Sequence, residues 1–478
     1  MKKLVYIAAL FLMRLNVVEA TGVTSTDAQT VAANFYTRNV GKSIAAVSLT
    51  YTEVSGTNEA LYYVFNVNEN DGFVIVSADD AAIPVLGYSN TGSYVAENLP
   101  PQLSYWMDSY KQQIVSIKAN NLPSALEAKN QWQSYRNSIS SSNNIGARTN
   151  GTLAAIVGPL LKTNWDQAPY YNDLCPVTGG KKALVGCVAT AMAQIMKYWA
   201  YPSVGISTYQ YVWNPYGLIG AQFDTSHYNW SAMPAKLSAA NDALAELMYD
   251  CGVAVEMQYG TTVSNAALLS VDDPGSSSAQ YAYANFFNYN AKTLQGIIKT
   301  NYTDSAWISI LKNELNNGRP FQLLGLDSIA GGGHSWVCDG YEANNLFDMN
   351  WGWSGRDNGY YALGALNPGT NNYNSDRRAL IGIQPPHNGP TSVSNLSDNS
   401  FLKVYPNPNN GLFAVSLQNI QGEPLLEVCN MLGQRVYQVK LNSQTTLINL
   451  DSQASGIYLY RVLDEYEKPI ATGKICIH

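Results

Sequence analysis

Along the chain, the spacing of apolar residues changes rhythm several times, and those changes divide it. MKKLVYIAALFLMRLNVVEA, residues 1–20, has two lysines, an apolar run and then Val18-Glu19-Ala20. That order predicts a secretory signal peptide with a small-x-small cleavage site. TDAQTVAANFYTRN has helical spacing behind a cap-like Thr26-Asp27 pair. LYYVFNVNENDGFVIVSADD reads as two strands around an Asn-Asp-Gly turn, a hairpin signal. LSYWMDSYKQQIVSIKANN is helical again. Residues 21–135 therefore predict a small α+β unit with nothing catalytic in it. Residues 136–152 are rich in Ser, Asn and Gly, a linker composition, with Arg148 exposed to proteolytic nicking. Residues 153–385 mix helical and strand periods and hold most of the tryptophans. A second linker covers residues 386–400. Short strands with turn signals about every ten residues then predict a small β-sandwich over 401–478.

Composition narrows the classes. Charged residues make up only 13% of the 478 positions, against about 25% in an ordinary domain. Tyr (33) and many Asn, Ser and Thr take their place, which suits an exported protein. The formal charge is −7 and no Lys/Arg run occurs, so no nucleic-acid partner is expected. No stretch after the signal segment is long and apolar enough to span a bilayer. Six cysteines are too sparse for a disulfide scaffold. No Cys-x-x-Cys or His/Cys cluster is present, so neither a metal nor an organic cofactor is expected.

One stretch carries chemistry. In ALVGCVATAMAQIMKYW, residues 183–199, Gly186 and Cys187 stand at the start of a helical pattern. Val188, Met192, Ile195, Met196 and Trp199 share one face, and the pattern ends near Tyr201-Pro202. A cysteine in a first helical turn meets unsatisfied N–H groups and the positive end of the dipole. Both favour a thiolate, the nucleophilic form. The plainer reading is a structural cysteine, bridged to Cys175 or capping the helix.

A thiol nucleophile wants a base. Of four histidines, His387 lies in a linker, His478 is the last residue, and His227 sits in an aromatic polar loop. His334, in AGGGHSWVCDGY, follows three glycines and opens a short strand, a place from which a ring can face a cleft. Downstream, in LFDMNWGWSGRDNGYYAL, Asn350 could orient the imidazole while Trp351 and Trp353 exclude water. Cys, His, Asn in that order is the papain-type arrangement. The bland alternative for the tryptophans is a core hairpin.

The blocks GCVATAMAQIMKYW, GGGHSWVCDGY and NWGWSGRDNGYYAL resemble those of the streptopain family of secreted cysteine peptidases. The resemblance implies an α+β protein with a papain-like catalytic domain at 149–385. It makes Cys187 the nucleophile and His334 the general base. It also implies that Trp351 takes the orienting place otherwise given to Asn350, and that Gly333 lines the substrate cleft. The family's oxyanion glutamine falls on Leu324 by spacing; Gln322 lies on the same strand face and is its stand-in. The backbone N–H of Cys187 is the other oxyanion donor. Residues 21–148 resemble the family's inhibitory propeptide. Residues 401–478, with VYPNPNNGLF and NMLGQRVYQ, resemble the type IX secretion sorting domain. The expectation is a secreted or surface-attached cysteine endopeptidase made as a zymogen. Its partners would be protein substrates, its own propeptide as inhibitor and the secretion machinery. The competing readings are a Cys–His acyltransferase and a glycan-binding adhesin or hemagglutinin.

Overall fold

The computed structural model describes residues 22–137, 157–275, 277–327, 332–364, 366–367 and 377–386. In the C-terminal part it describes residues 402–407, 409–417, 424–430, 434–463 and 469–477. The signal segment, the Arg148 linker, most of the 386–400 linker, His387 and His478 lie outside the described residues. The chain forms two compact units, divided between Pro390 and Thr391.

In the first unit, α1 (Ser25–Asn39) precedes β1 (Val47–Val54), β2 (Ala60–Val67), β3 (Gly72–Ser77) and β4 (Val85–Ser89). Then come α2 (Pro101–Ala119) and α3 (Leu126–Arg136). The cap of α1 is Thr24, whose hydroxyl accepts from the Asp27 N–H, so the expected Thr26-Asp27 pair sits inside the first turn. The β2–β3 turn is made by Asn68 and Glu69, both at positive φ. Gly72 of the expected Asn-Asp-Gly turn serves a different need: a Cβ there would lie 2.0 Å from the Ser89 carbonyl of β4.

Next come the short hairpin β5 (Val177–Thr178) and β6 (Lys181–Lys182), α4 (Cys187–Trp199) and the hairpin β7 (Thr208–Trp213) and β8 (Gly217–Gln222). They are followed by α5 (Asp242–Ala254), α6 (Ala279–Asn285), β9 (Gln295–Ile298) and α7 (Asp304–Asn316). The remaining strands are β10 (Phe321–Asp327), β11 (Gly332–Glu342), β12 (Leu346–Asn350), β13 (Gly359–Ala362) and β14 (Arg377–Ile381). Ten strands form one sheet in the order β1-β2-β3-β4-β13-β12-β11-β10-β14-β9. The four N-terminal strands thus continue the later sheet, joined where Tyr88 and Gly87 of β4 pair antiparallel with Tyr360 and Tyr361 of β13.

Alternation along the later strands assigns their faces. Gln322, Leu324, Ser335, Val337 and Leu380 point one way; Leu324, Val337 and Leu380 join the core around α4, α5 and α6. Phe321, Leu323, Trp336, Cys338 and Ala379 point the other way, into a core shared with α1, α2, α3 and α7. Helix α4 was expected to have one apolar face, yet residues 187–196 are buried all round. It packs between β10–β11 and helices α5 and α6, so it is a core helix.

The second unit holds two sheets, β15-β16-β19 and β18-β17-β20-β21. The first contains β15 (Leu402–Tyr405), β16 (Leu412–Leu417) and β19 (Thr445–Asn449). The second contains β17 (Leu425–Cys429), β18 (Arg435–Lys440), β20 (Gly456–Leu463) and β21 (Pro469–Ile477). Phe413, Val415, Leu426, Val428, Val462 and Ile475 fill the space between them, the β-sandwich read from the sequence. Among the described residues no helix is long and apolar enough to cross a membrane.

Candidate active site

Cys187 is the first residue of α4 and 8% exposed. Gly186 caps it at φ 90, where a Cβ would lie 2.6 Å from the Met257 thioether; only glycine brings the chain into the helix here. The backbone N–H groups of Ser335, Val188 and Cys187 itself are the groups around the thiol that favour its ionised form. Burial pushes the Cys187 thiol up, and these donors offset only part of it. Burial therefore works against the expected thiolate in this state. Desolvation outweighs the helix terminus when no cation stands beside the sulfur.

His334 explains the missing cation. It pairs with Gly325 of β10, which in turn pairs with Arg377 of β14. Alternation places this row on the face of Trp336, away from Cys187. There the ring of Tyr105, from α2, lies 6.3 Å from the His334 ring. Tyr105 occupies the space over Gly325, where a Cβ would come within 2.1 Å of it. The neighbour of His334, Ser335, is the residue that faces the Cys187 side, bonded to Gln322.

Asn350 ends β12 and is 4% exposed. Its Oδ1 accepts from Gln194 Nε2 and the Gly352 N–H, both at 3.2 Å, and its Nδ2 donates to the Thr163 carbonyl at 2.7 Å. It ties α4 to the sheet and makes no bond to His334. Trp351 is fully buried, donates to the Asp357 carbonyl at 2.9 Å, and sits among Trp106, Trp336 and Tyr361. Trp353 donates to Gln102 Oε1 of α2 at 2.8 Å. Gly333 pairs with Leu326 beside the histidine. Gln322 lies under the helix start: its Nε2 donates to the Val188 carbonyl at 3.1 Å and to Ser335 Oγ at 2.9 Å. It fixes the two residues flanking the sulfur. Leu324 is a buried partner of Ser335.

Sequence reasoning passed over Gln167. It is 8% exposed, and its Oε1 accepts from the Gly186 N–H at 3.1 Å, immediately before the nucleophile. No partner for its Nε2 occurs among the described residues. The signal was faint: one amide inside the aromatic stretch Trp165–Tyr171, distant in sequence from Cys187. No group of His, Cys, Asp and Glu among the described residues could hold a metal.

Helix α2 is fastened across the other face. Trp106 packs on Trp336 at 5.6 Å and on Trp351 at 6.2 Å. The Tyr110 hydroxyl bonds the Leu86 and Ala362 carbonyls on both sides of the β4–β13 join. Arg377 is buried with its guanidinium 3.7 Å from the Trp106 ring, bonded to Ser109 Oγ and the Leu363 carbonyl. Burial pushes Arg377 down to about 10.

A buried thiol opening a core helix, facing a sheet that carries a histidine, is the frame of a papain-like thiol peptidase. Residues 165–361 match the Peptidase C10 family, residues 20–114 the Spi protease inhibitor family, and residues 403–478 the secretion system C-terminal sorting domain. Streptopain from Streptococcus pyogenes is 33% identical over 369 residues, covering 70% of this chain and 82% of that protein. The thiol protease/hemagglutinin PrtT of Porphyromonas gingivalis is 31% identical over 418 residues, covering 81% of this chain but only 45% of that protein. A prointerpain A fragment from Prevotella intermedia superposes with a TM-score of 0.55 at 31% identity, covering 71% of this chain and 99% of that one. The chain belongs to the streptopain, or C10, family of cysteine peptidases, with an inhibitor-type prodomain in front and a secretion sorting domain behind. That tail marks it for type IX secretion, to a secreted or surface location.

Proposed function

We propose that the enzyme hydrolyses peptide bonds through Cys187 and His334, and that this chain is held inactive because the prodomain keeps the two apart. The carrying observation is that Ser335, next to His334, lies on the Cys187 side of the sheet, bonded to the Gln322 that holds Val188, while Tyr105 occupies the histidine's side. Successive strand residues face opposite ways. Once α2 leaves, a rearrangement at the start of β11 lets the imidazole exchange faces and meet the thiol.

In the assembled site the imidazole takes the Cys187 proton. The thiolate adds to the scissile carbonyl carbon and its oxygen becomes an oxyanion. The backbone N–H of Cys187 and the Nε2 of Gln167 stabilise that charge. Gln322 positions Val188 and Ser335 rather than touching substrate. The imidazolium protonates the departing amine, leaving a thioester, and the neutral ring then activates water to release the new carboxyl group. Trp351 and Asn350 hold the wall behind the histidine.

We place the functional boundaries at 1–20 for the signal peptide, 21–148 for the prodomain, 149–385 for the peptidase, 386–400 for the linker and 401–478 for the sorting domain. We place maturation near Arg148, before the first described strand contact of the peptidase. Val157 exchanges both backbone hydrogen bonds with Tyr341, at 3.1 and 2.9 Å, so the cut must fall before it. The test is casein digestion in reducing buffer by the full chain and by Cys187→Ala, with chain length followed on a gel. Cleavage and shortening by the wild type alone, stopped by iodoacetamide, supports the reading. If neither protein cleaves after an added protease removes the prodomain, the reading fails and glycan binding becomes the better account.

A further inference from the structure

The catalytic site leaves unexplained a half-buried acid at the prodomain seam. Glu342 ends β11, and its Oε2 accepts from the Tyr88 hydroxyl of prodomain strand β4 at 2.7 Å. Tyr88 is nearly buried and stacks on Tyr360 of β13, ring centroids 5.3 Å apart and planes 11° apart. Tyr88 and Tyr360 are also the backbone pair that joins the two sheets. Among the described residues, the elements over this carboxyl that depart with α2 are the seam strand β4 and, through Tyr135, α3.

The surroundings are acidic. Facing Glu342 are Tyr88 from β4, Tyr360 from β13, Asp348 from β12 and Tyr135 from α3, and Asp339 lies behind Asp348. No cation pairs with Glu342 among the described residues. Lys312 is spent on Asn345 Oδ1 and the Tyr341 ring, and Arg38 on Ser134 and Asn137. Lys162 acts on Asp339 instead.

We propose that Glu342 and Tyr88 form a proton-keyed latch: protonated Glu342 holds the prodomain, and losing that proton loosens it, so the grip is tighter in acid than at neutral pH. Burial pushes Glu342 up to about 7 in the closed chain, and the Tyr88 hydroxyl draws it back only in part. With Tyr88 gone, water reaches the carboxyl and its value returns toward the ordinary range near 4.3. The closed form then holds a proton that the open form gives up. The grip is complete below that ordinary value, weakens as pH rises toward 7, and levels off above. The slope is at most about tenfold per pH unit. Asp348, which acts on Tyr88 and is raised by Glu342, belongs to β12 and stays with the peptidase in both states.

The inference rests on reading residues 22–137 as a removable cover. The test uses a catalytically dead chain, so it is independent of whether peptides are cleaved. Full-length Cys187→Ala is opened within residues 138–156 by an added protease, and dissociation of the nicked prodomain is measured by analytical ultracentrifugation from pH 5 to 7.5. Binding should weaken on the order of 10- to 100-fold, and Glu342→Gln should stay tight and flat. A flat wild type, or an unchanged slope in Glu342→Gln, overturns the latch. Should Glu342→Gln not fold, Tyr88→Phe decides: losing the hydroxyl must move the midpoint to higher pH, and an unmoved midpoint overturns the proposal.

Discussion

The two faces of the peptidase sheet are built on different terms. The face toward α4 is tied by polar bonds: Gln322 to Val188 and Ser335, Gln194 to Asn350. All its partners lie within the peptidase. The opposite face is aromatic, and Trp106, Tyr105 and Tyr110 of the prodomain complete it. One face holds the thiol through bonds made within the peptidase; the other is covered by prodomain side chains. A zymogen of this kind stores its inactivity in the side of the sheet that will lose its partner.

The comparison breaks first at the nucleophile. Cys187→Ala should lower peptide hydrolysis by about 10⁴-fold or more and leave the prodomain face intact, seen as an unchanged urea midpoint. A change confined to the aromatic face should do the reverse. Trp106→Ala should cost about 3–5 kcal/mol of stability and shorten the lag before casein cleavage, with little effect on the final rate. Gln167→Ala tests the polar face: kcat should fall by about 10²–10³-fold with KM nearly unchanged. A KM effect alone would remove Gln167 from the oxyanion site. Gly325→Ala should loosen the prodomain more modestly, because the new methyl meets the Tyr105 ring; gel-filtration retention of the nicked prodomain reads it.

The smallest effect concerns stability against pH. Burial pushes Asp339 up to about 6 and holds Asp348 well above the usual carboxylate range, the two sharing a hydrogen bond. The folded chain keeps protons that the unfolded chain loses. Stability is therefore full below the ordinary Asp value of about 3.9 and falls as pH rises through 6. Asp348→Asn supplies an amide donor with no proton to lose, so the drop in urea midpoint between pH 4.5 and 8 should narrow.

Much of the site was legible in the residues. Gly186-Cys187 announced a helix start because helix termini have a local vocabulary of caps and periodic apolar residues, and α4 runs from Cys187 to Trp199. The sandwich beyond residue 401 was readable for the same reason, whereas Gly332 and Gly333, expected ahead of the strand, are paired within β11. Gln167 was not, since a lone amide signals nothing until the fold brings it to Gly186. Nor was the all-round burial of α4. A one-faced pattern can serve a surface helix or a core helix, and Ala and Thr on the other face fit both.

The sequence by itself determined the elements, the order of Cys, His and Asn, and the family, because these rest on local periodicity and on short motifs. Only the tertiary structure decided which side of the sheet His334 occupies, what Asn350 is bonded to, and that the prodomain extends the peptidase's own sheet. Those depend on strand pairing between residues far apart along the chain. Facing direction is set by register, and register is fixed by which partners bury which face.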